Sequence, residues 1–106
     1  MLIIHGGCSP ARIATQSVAG GSTVAMFYTY VLFSEKDRKF YIGWTDDLKA
    51  RVESHNKGRV GATRYRIPLR LIYYEACLGK EDAIKREKAL KTGFGRAYLE
   101  RRLKIY

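Results

Sequence analysis

Two short runs rich in aromatic and β-branched residues, Phe27–Phe33 and Phe40–Trp44, are separated only by the polar stretch Ser34–Lys39. Such side chains pack well on a pleated surface, and a short polar link between two such runs predicts an antiparallel hairpin. Alternate residues of a strand share a face. A register that sets Tyr30 opposite or diagonal to Tyr41 therefore projects both phenols from one side, and a slip of one residue would part them. Leu69–Cys77, through Leu71-Ile72-Tyr73-Tyr74, predicts a third strand, broken at Gly79.

Helical spacing fills the rest. Thr45-Asp46-Asp47 supplies capping oxygens and negative charge for a helix start. Leu48 and Val52 follow on one face, with Arg51 and His55 as a second row beside them, and Lys57-Gly58 is the expected end. Arg59–Pro68 reads as irregular and basic. Lys80–Lys91 predicts a helix with Ala83, Ile84, Glu87 and Leu90 on one face. Thr92-Gly93-Phe94-Gly95 reads as an interruption, and Arg96–Tyr106 as a last helix offering Tyr98, Leu99 and Leu103 to the core. The order strand, strand, helix, strand, helix, helix defines an α+β fold, a small three-stranded antiparallel sheet flanked by helices.

The 106 residues suit one domain with a modest core. Residues 1–25 differ in kind: two Gly-Gly pairs, several Ser and Thr, and Arg12 as their one formal charge. Met26 reads as a natural start, with 1–25 as an upstream extension; the alternative is an arm that orders on binding. Either way, residues 26–106 are the expected domain. A formal net charge of +10 points to polyanionic partners, nucleic acid before anionic membrane surfaces. The sequence holds no apolar stretch long enough to span a bilayer. Cys8 and Cys77 are not spaced as a metal cluster, so the expectation is a reduced, cytoplasmic protein.

The chemistry-bearing candidates are Tyr30, Tyr41, Arg51, His55 and Glu87. A carboxylate on an apolar helix face needs a partner. From the pattern alone, Glu87 as ligand of a hard divalent cation and Glu87 as half of a buried ion pair with an arginine stand equally open. Arg51 has the planar fork that matches phosphate oxygens. His55 suits a phosphate contact or proton transfer. The phenols suit orientation or activation of water, although most tyrosines in small cores are packing residues. Arg38, Lys49, Lys57, Arg59, Arg64, Arg66 and Lys91 are candidate contacts to a nucleic-acid backbone, with Tyr65 placed to stack on an unpaired base.

Taken together and in order, Tyr28-Thr29-Tyr30, Tyr41-Ile42-Gly43, Thr45-Asp46-Asp47-Leu48, Arg51, His55-Asn56-Lys57-Gly58 and Arg86-Glu87-Lys88-Ala89-Leu90-Lys91 with Gly93-Phe94-Gly95-Arg96 resemble the GIY-YIG endonuclease family, in its small single-domain bacterial branch. The resemblance covers nearly all of residues 27–106. Trp44 stands where some members carry a lysine, and Leu99 where certain branches carry an asparagine. The resemblance implies one-step phosphodiester hydrolysis with a single divalent metal, Mg²⁺ or Mn²⁺, on Glu87. Tyr30 and Tyr41 would position or activate water, Arg51 would stabilise the transition state, and His55 would assist at the phosphate or the proton. The expected substrate is DNA, with RNA not excluded, recognised by structure in repair or recombination. A partner protein or a homodimer would supply specificity. The competing expectation is a non-catalytic nucleic-acid-binding module that keeps the fold.

Overall fold

The computed structural model describes residues 25–103. The expected boundary near residue 25 and the fate of 1–24 lie outside the described residues. Strands β1 (Phe27–Ser34), β2 (Phe40–Thr45) and β3 (Leu69–Cys77) alternate with helices α1 (Leu48–Asn56), α2 (Lys80–Leu90) and α3 (Gly93–Arg102) in the order β1-β2-α1-β3-α2-α3. The sheet order is β2-β1-β3, all antiparallel, which is the α+β arrangement expected.

β1 is the central strand, and both its faces are covered. Tyr28, Tyr30 and Leu32 pack with Leu48 of α1 and with Leu69 and Tyr74. Val31 and Phe33 face the other way, onto Leu90 of α2 and Leu99 of α3. β1 is therefore a near-continuous buried run. The run Leu71–Tyr74 does not alternate simply because a register shift in the β1–β3 ladder, between Val31 and Leu32, leaves Ile72 as an extra residue. Ile72 and Tyr73 both join the α2–α3 side of the core, as a bulge permits.

The caps explain where helices begin. Asp47 accepts from the Ala50 amide at 3.2 Å and starts α1, while Thr45 still belongs to β2. α1 ends at its cap Lys57, followed by Gly58 at φ +75, the left-handed position that favours glycine. α3 begins earlier than its sequence pattern suggests. Thr92 Oγ1 accepts from the Gly95 amide at 3.1 Å, so the stretch expected to interrupt is instead the cap and first turn. α3 closes at Arg102, with Leu103 extended and buried; the continuation expected to Tyr106 lies outside the described residues. Gly95 is where α3 crosses α2. A Cβ there would collide with the Ala89 carbonyl and the Leu90 backbone, so only glycine allows this approach. Asn56 braces the return of the loop, exchanging hydrogen bonds of 2.8 and 2.7 Å with the carbonyl and amide of Leu69.

A buried acid does pair with an arginine, but it is Glu75 of β3 and not Glu87. Glu75 is 1 % exposed and accepts two bonds of 2.8 Å from Arg86 of α2. The Tyr73 hydroxyl donates to the same carboxylate, and burial, then this neighbour, push the phenol's pKa up. The pair pins α2 to the sheet and thereby fixes the orientation of Glu87, the next residue. Removing one member of such a pair strands the other. Arg86→Met should cost about 3 kcal/mol in urea denaturation, at the low end of the range because the guanidinium is partly solvated. Replacing both partners by leucine should cost less than Arg86→Met alone.

Candidate active site

β1, β2 and α1 bring four of the five candidate side chains into contact. Tyr30 pairs with Gly43 and Leu32 with Tyr41, so the two tyrosines are diagonal neighbours on one face, with ring centroids 6.5 Å apart. Tyr30 is fully buried and Tyr41 half-buried. The space for the Tyr30 hydroxyl exists because residue 43 has no side chain: a Cβ there would stand 2.6 Å from Tyr30 Oη. Alanine at this position would drive the phenol off its partners.

Those partners come from one row of α1. Arg51 Nε donates to Tyr30 Oη at 3.3 Å, and His55 Nε2 lies 2.9 Å from the same oxygen. His55 is fully enclosed, and its Nδ1 lies 2.7 Å from Oγ1 of Thr63, itself fully buried. Burial, reinforced by the Arg51 charge, lowers the His55 pKa to about 4, so the imidazole is neutral at pH 7. A guanidinium only donates, and a neutral imidazole has one N–H and one lone pair. Two assignments fit this geometry. In one, Tyr30 accepts from Arg51 and donates to His55 Nε2, and His55 Nδ1–H donates to Thr63; in the other, His55 Nε2–H donates to Tyr30 and the Thr63 hydroxyl donates to Nδ1. The Tyr30 pKa is raised, first by burial; Arg51 opposes this, while Tyr41 and Glu87 add to it.

Glu87 lies on α2, which packs on the face of the sheet opposite Tyr30. It is close enough for its charge to act on Tyr30. It is not the buried acid that its helical pattern implies: its side chain is 18 % exposed and pairs with Lys91 Nζ at 2.9 Å, one turn on. Among the described residues no three His, Cys, Asp or Glu side chains gather as a metal cage. A single half-buried carboxylate does suit a hard divalent cation whose remaining ligands are water and phosphate oxygens, once Lys91 swings aside.

The expected backbone contacts separate into two groups. Lys49, Lys57, Arg59, Arg64 and Lys91 are exposed, and Tyr65 is 75 % exposed with the Arg64 guanidinium 5.2 Å from its ring centroid. Arg38 pairs with Glu35 and lies 4.8 Å from the Phe33 ring centroid. Arg66 departs from the expectation. It bonds Asp37 and the carbonyls of Lys39 and Phe40, so its fork holds the β1–β2 loop closed. Two buried groups escaped the sequence reading. Thr63 gave no signal, because a threonine in a basic loop reads as solvated. Glu75 did give one: a carboxylate inside the apolar run of β3 raises the same question as Glu87.

A small antiparallel sheet whose edge-strand glycine lets a phenol, a guanidinium and a neutral imidazole meet, with helices on both faces, defines an α+β domain with a polar cluster at the sheet edge. The model of the GIY-YIG catalytic domain matches residues 26–104, and the chain belongs to that nuclease family. Its relatives include a UPF0213 protein of Lacticaseibacillus paracasei, 49% identical over 63 residues, spanning 58% of this chain and 68% of the relative. UPF0213 proteins of Streptococcus pyogenes serotypes M5 and M2 are each 45% identical over 71 residues, 65% of this chain and 75% of theirs. No solved structure matches. Among the described residues no helix is long and apolar enough to cross a membrane.

The depressed His55 pKa makes stability depend on pH. An unfolded histidine protonates below about 6.5, whereas the native one resists until about 4. Stability from this group is full above pH 6.5, falls as pH drops towards 4, and levels off below. Urea denaturation across that window should show the decline in the intact protein and lose this component in His55→Gln.

Proposed function

We propose that this protein is a divalent-metal-dependent endonuclease that hydrolyses phosphodiester bonds in DNA, selected by structure more than by sequence, in the repair or recombination of DNA in the cytoplasm. The observation that carries the reading is the Tyr30 hydroxyl, held between Arg51 Nε and His55 Nε2 beneath Gly43. A packing tyrosine needs one partner for its hydroxyl; this one has two, drawn from one row of α1 and shielded from water.

The division of labour follows from exposure. Tyr41, half-exposed, is the phenol that meets the attacking water. Tyr30, sealed, anchors Arg51 through Nε and leaves the guanidinium's two terminal nitrogens for phosphate oxygens, where they neutralise charge that builds as water adds to phosphorus. The bond from phosphorus to the water oxygen replaces the bond to the leaving sugar oxygen. With Tyr30 as donor to His55, the neutral imidazole offers its Nε2 lone pair, through the Tyr30 hydroxyl, to the proton released, and Thr63 accepts from Nδ1–H behind it. Glu87 would hold Mg²⁺ or Mn²⁺, which when bound polarises the phosphate and makes coordinated water more acidic. The exposed lysines and arginines would grip the backbone without reading sequence.

One observation favours a second reading. The Lys91–Glu87 pair already satisfies the carboxylate, as a binding module without metal would require. Cleavage of labelled duplex, flap, splayed-arm and four-way-junction DNA with Mg²⁺, Mn²⁺ or EDTA decides between them. The nuclease reading expects metal-dependent cutting, reduced at least 100-fold in Glu87→Ala. Salt-sensitive binding with no cutting by the intact protein would establish the module instead.

A further inference from the structure

β2 ends in a shallow cavity on each side of the site. One, of about 220 Å³, is lined by Phe40, Tyr41, Ile42, Leu90, Lys91 and Arg96. The other, of about 230 Å³, is lined by Phe27, Trp44, Thr45, Asp46, Arg51 and Lys80. Both share a residue with the candidate catalytic cluster, Tyr41 in the first and Arg51 in the second. A strand whose phosphate sits on Arg51 therefore places a neighbouring nucleotide at the second cavity.

The two cavities differ in chemistry. The first is rimmed by cations alone, Lys91 and Arg96, and suits phosphate. The second combines two aromatic side chains, Phe27 and Trp44, with cations on one side and the carboxylate of Asp46 on the other. Asp46 disfavours a phosphate at its end but can accept a hydrogen bond from an exocyclic amine. Lys80 Nζ stands 5.4 Å from the Trp44 ring centroid, a cation on an aromatic ring that can turn to a passing phosphate. Trp44 reaches this position because it alternates with Gly43. It points to the α2 side, while the gap left by Gly43 admits Tyr30 from the α1 side.

We propose that this cavity is a nucleobase subsite, in which the base next to the cleaved phosphodiester stacks on Trp44 with Lys80 and Arg51 holding the adjoining phosphates. The inference rests on the nuclease reading and adds the feature that the substrate must present. A base in a duplex has both faces occupied by its neighbours, so the nucleotide beside the cut must be unpaired or turned out of the helix. Flaps, splayed arms and mismatched sites satisfy this; a blunt duplex does not.

Trp44 is the chain's single tryptophan, so its fluorescence reports the subsite directly. The full chain is titrated in EDTA with splayed-arm DNA, with blunt duplex of equal length, and with a splayed arm made abasic across the junction. Anisotropy of a labelled strand reports occupancy in parallel. The subsite predicts saturable quenching by the splayed arm and little at equal occupancy by the other two. It also predicts about tenfold weaker splayed-arm binding by Trp44→Ala, restored towards normal in Trp44→Phe. Binding without quenching, or equal quenching by duplex and abasic DNA, would overturn the subsite. Metal-dependent cutting alongside that result would leave the nuclease reading standing. Selective quenching with no cutting would keep the subsite and overturn the nuclease. No binding to any of the three would overturn the subsite, and cutting with Mg²⁺ or Mn²⁺ would then decide the nuclease reading separately.

Discussion

The hydroxyl of Tyr30 is the point on which the architecture converges. It sits on the central strand, inside the core, where an unpartnered phenol would be costly to bury. Three separate pieces of chain accommodate it: α1 supplies Arg51 and His55, the loop after α1 supplies Thr63 behind His55, and β2 supplies the space at Gly43. Each of these is also a structural demand. The hairpin must keep its register, α1 must lie with one row against the sheet, and the irregular loop must fold back far enough to bury a threonine. Tertiary structure and site are thus held by the same bonds.

The far face of the sheet carries a matching constraint of a different kind. There, the Glu75–Arg86 pair sets α2, which carries Glu87 as the next residue. A buried pair contributes less to net stability than packed apolar side chains of similar volume, but it fixes the rotation of a helix about its own axis. Rotation sets where that carboxylate lies. Gly95 assists by letting α3 pack closely on the end of α2.

The fold was legible where local pattern and tertiary demand agree. The hairpin and α1 follow from alternation, from the polar loop and from helical spacing, while the register that sets Tyr30 and Tyr41 diagonal is left open by the sequence and comes from the structure. The start of α3 departs from its local pattern: Gly93 and Gly95 read as breakers, but a threonine cap and close packing on α2 turn them into the first turn. In the site, Tyr30, Tyr41, Arg51 and His55 were visible as spacing on one hairpin and one helix. Glu87 was visible as an acid on an apolar face, yet its burial was overestimated, because helical periodicity cannot tell the centre of a buried face from its margin. Thr63 was invisible: its role depends on the path of a loop that no periodicity describes. Arg66 looked like its basic neighbours and differs only in reaching Asp37.

Proton transfer from Tyr30 requires one order of protons along Tyr30, His55 and Thr63, and nitrogen-15 NMR of His55 reads that order directly. With the other histidine, His5, replaced to remove its signals, the intact protein at pH 6 should show a neutral imidazole carrying its proton on Nδ1, with Nε2 accepting from Tyr30. A proton on Nε2, or an imidazolium at that pH, would contradict it. Tyr30 would then not donate to His55, and the route from phenol to imidazole would be closed.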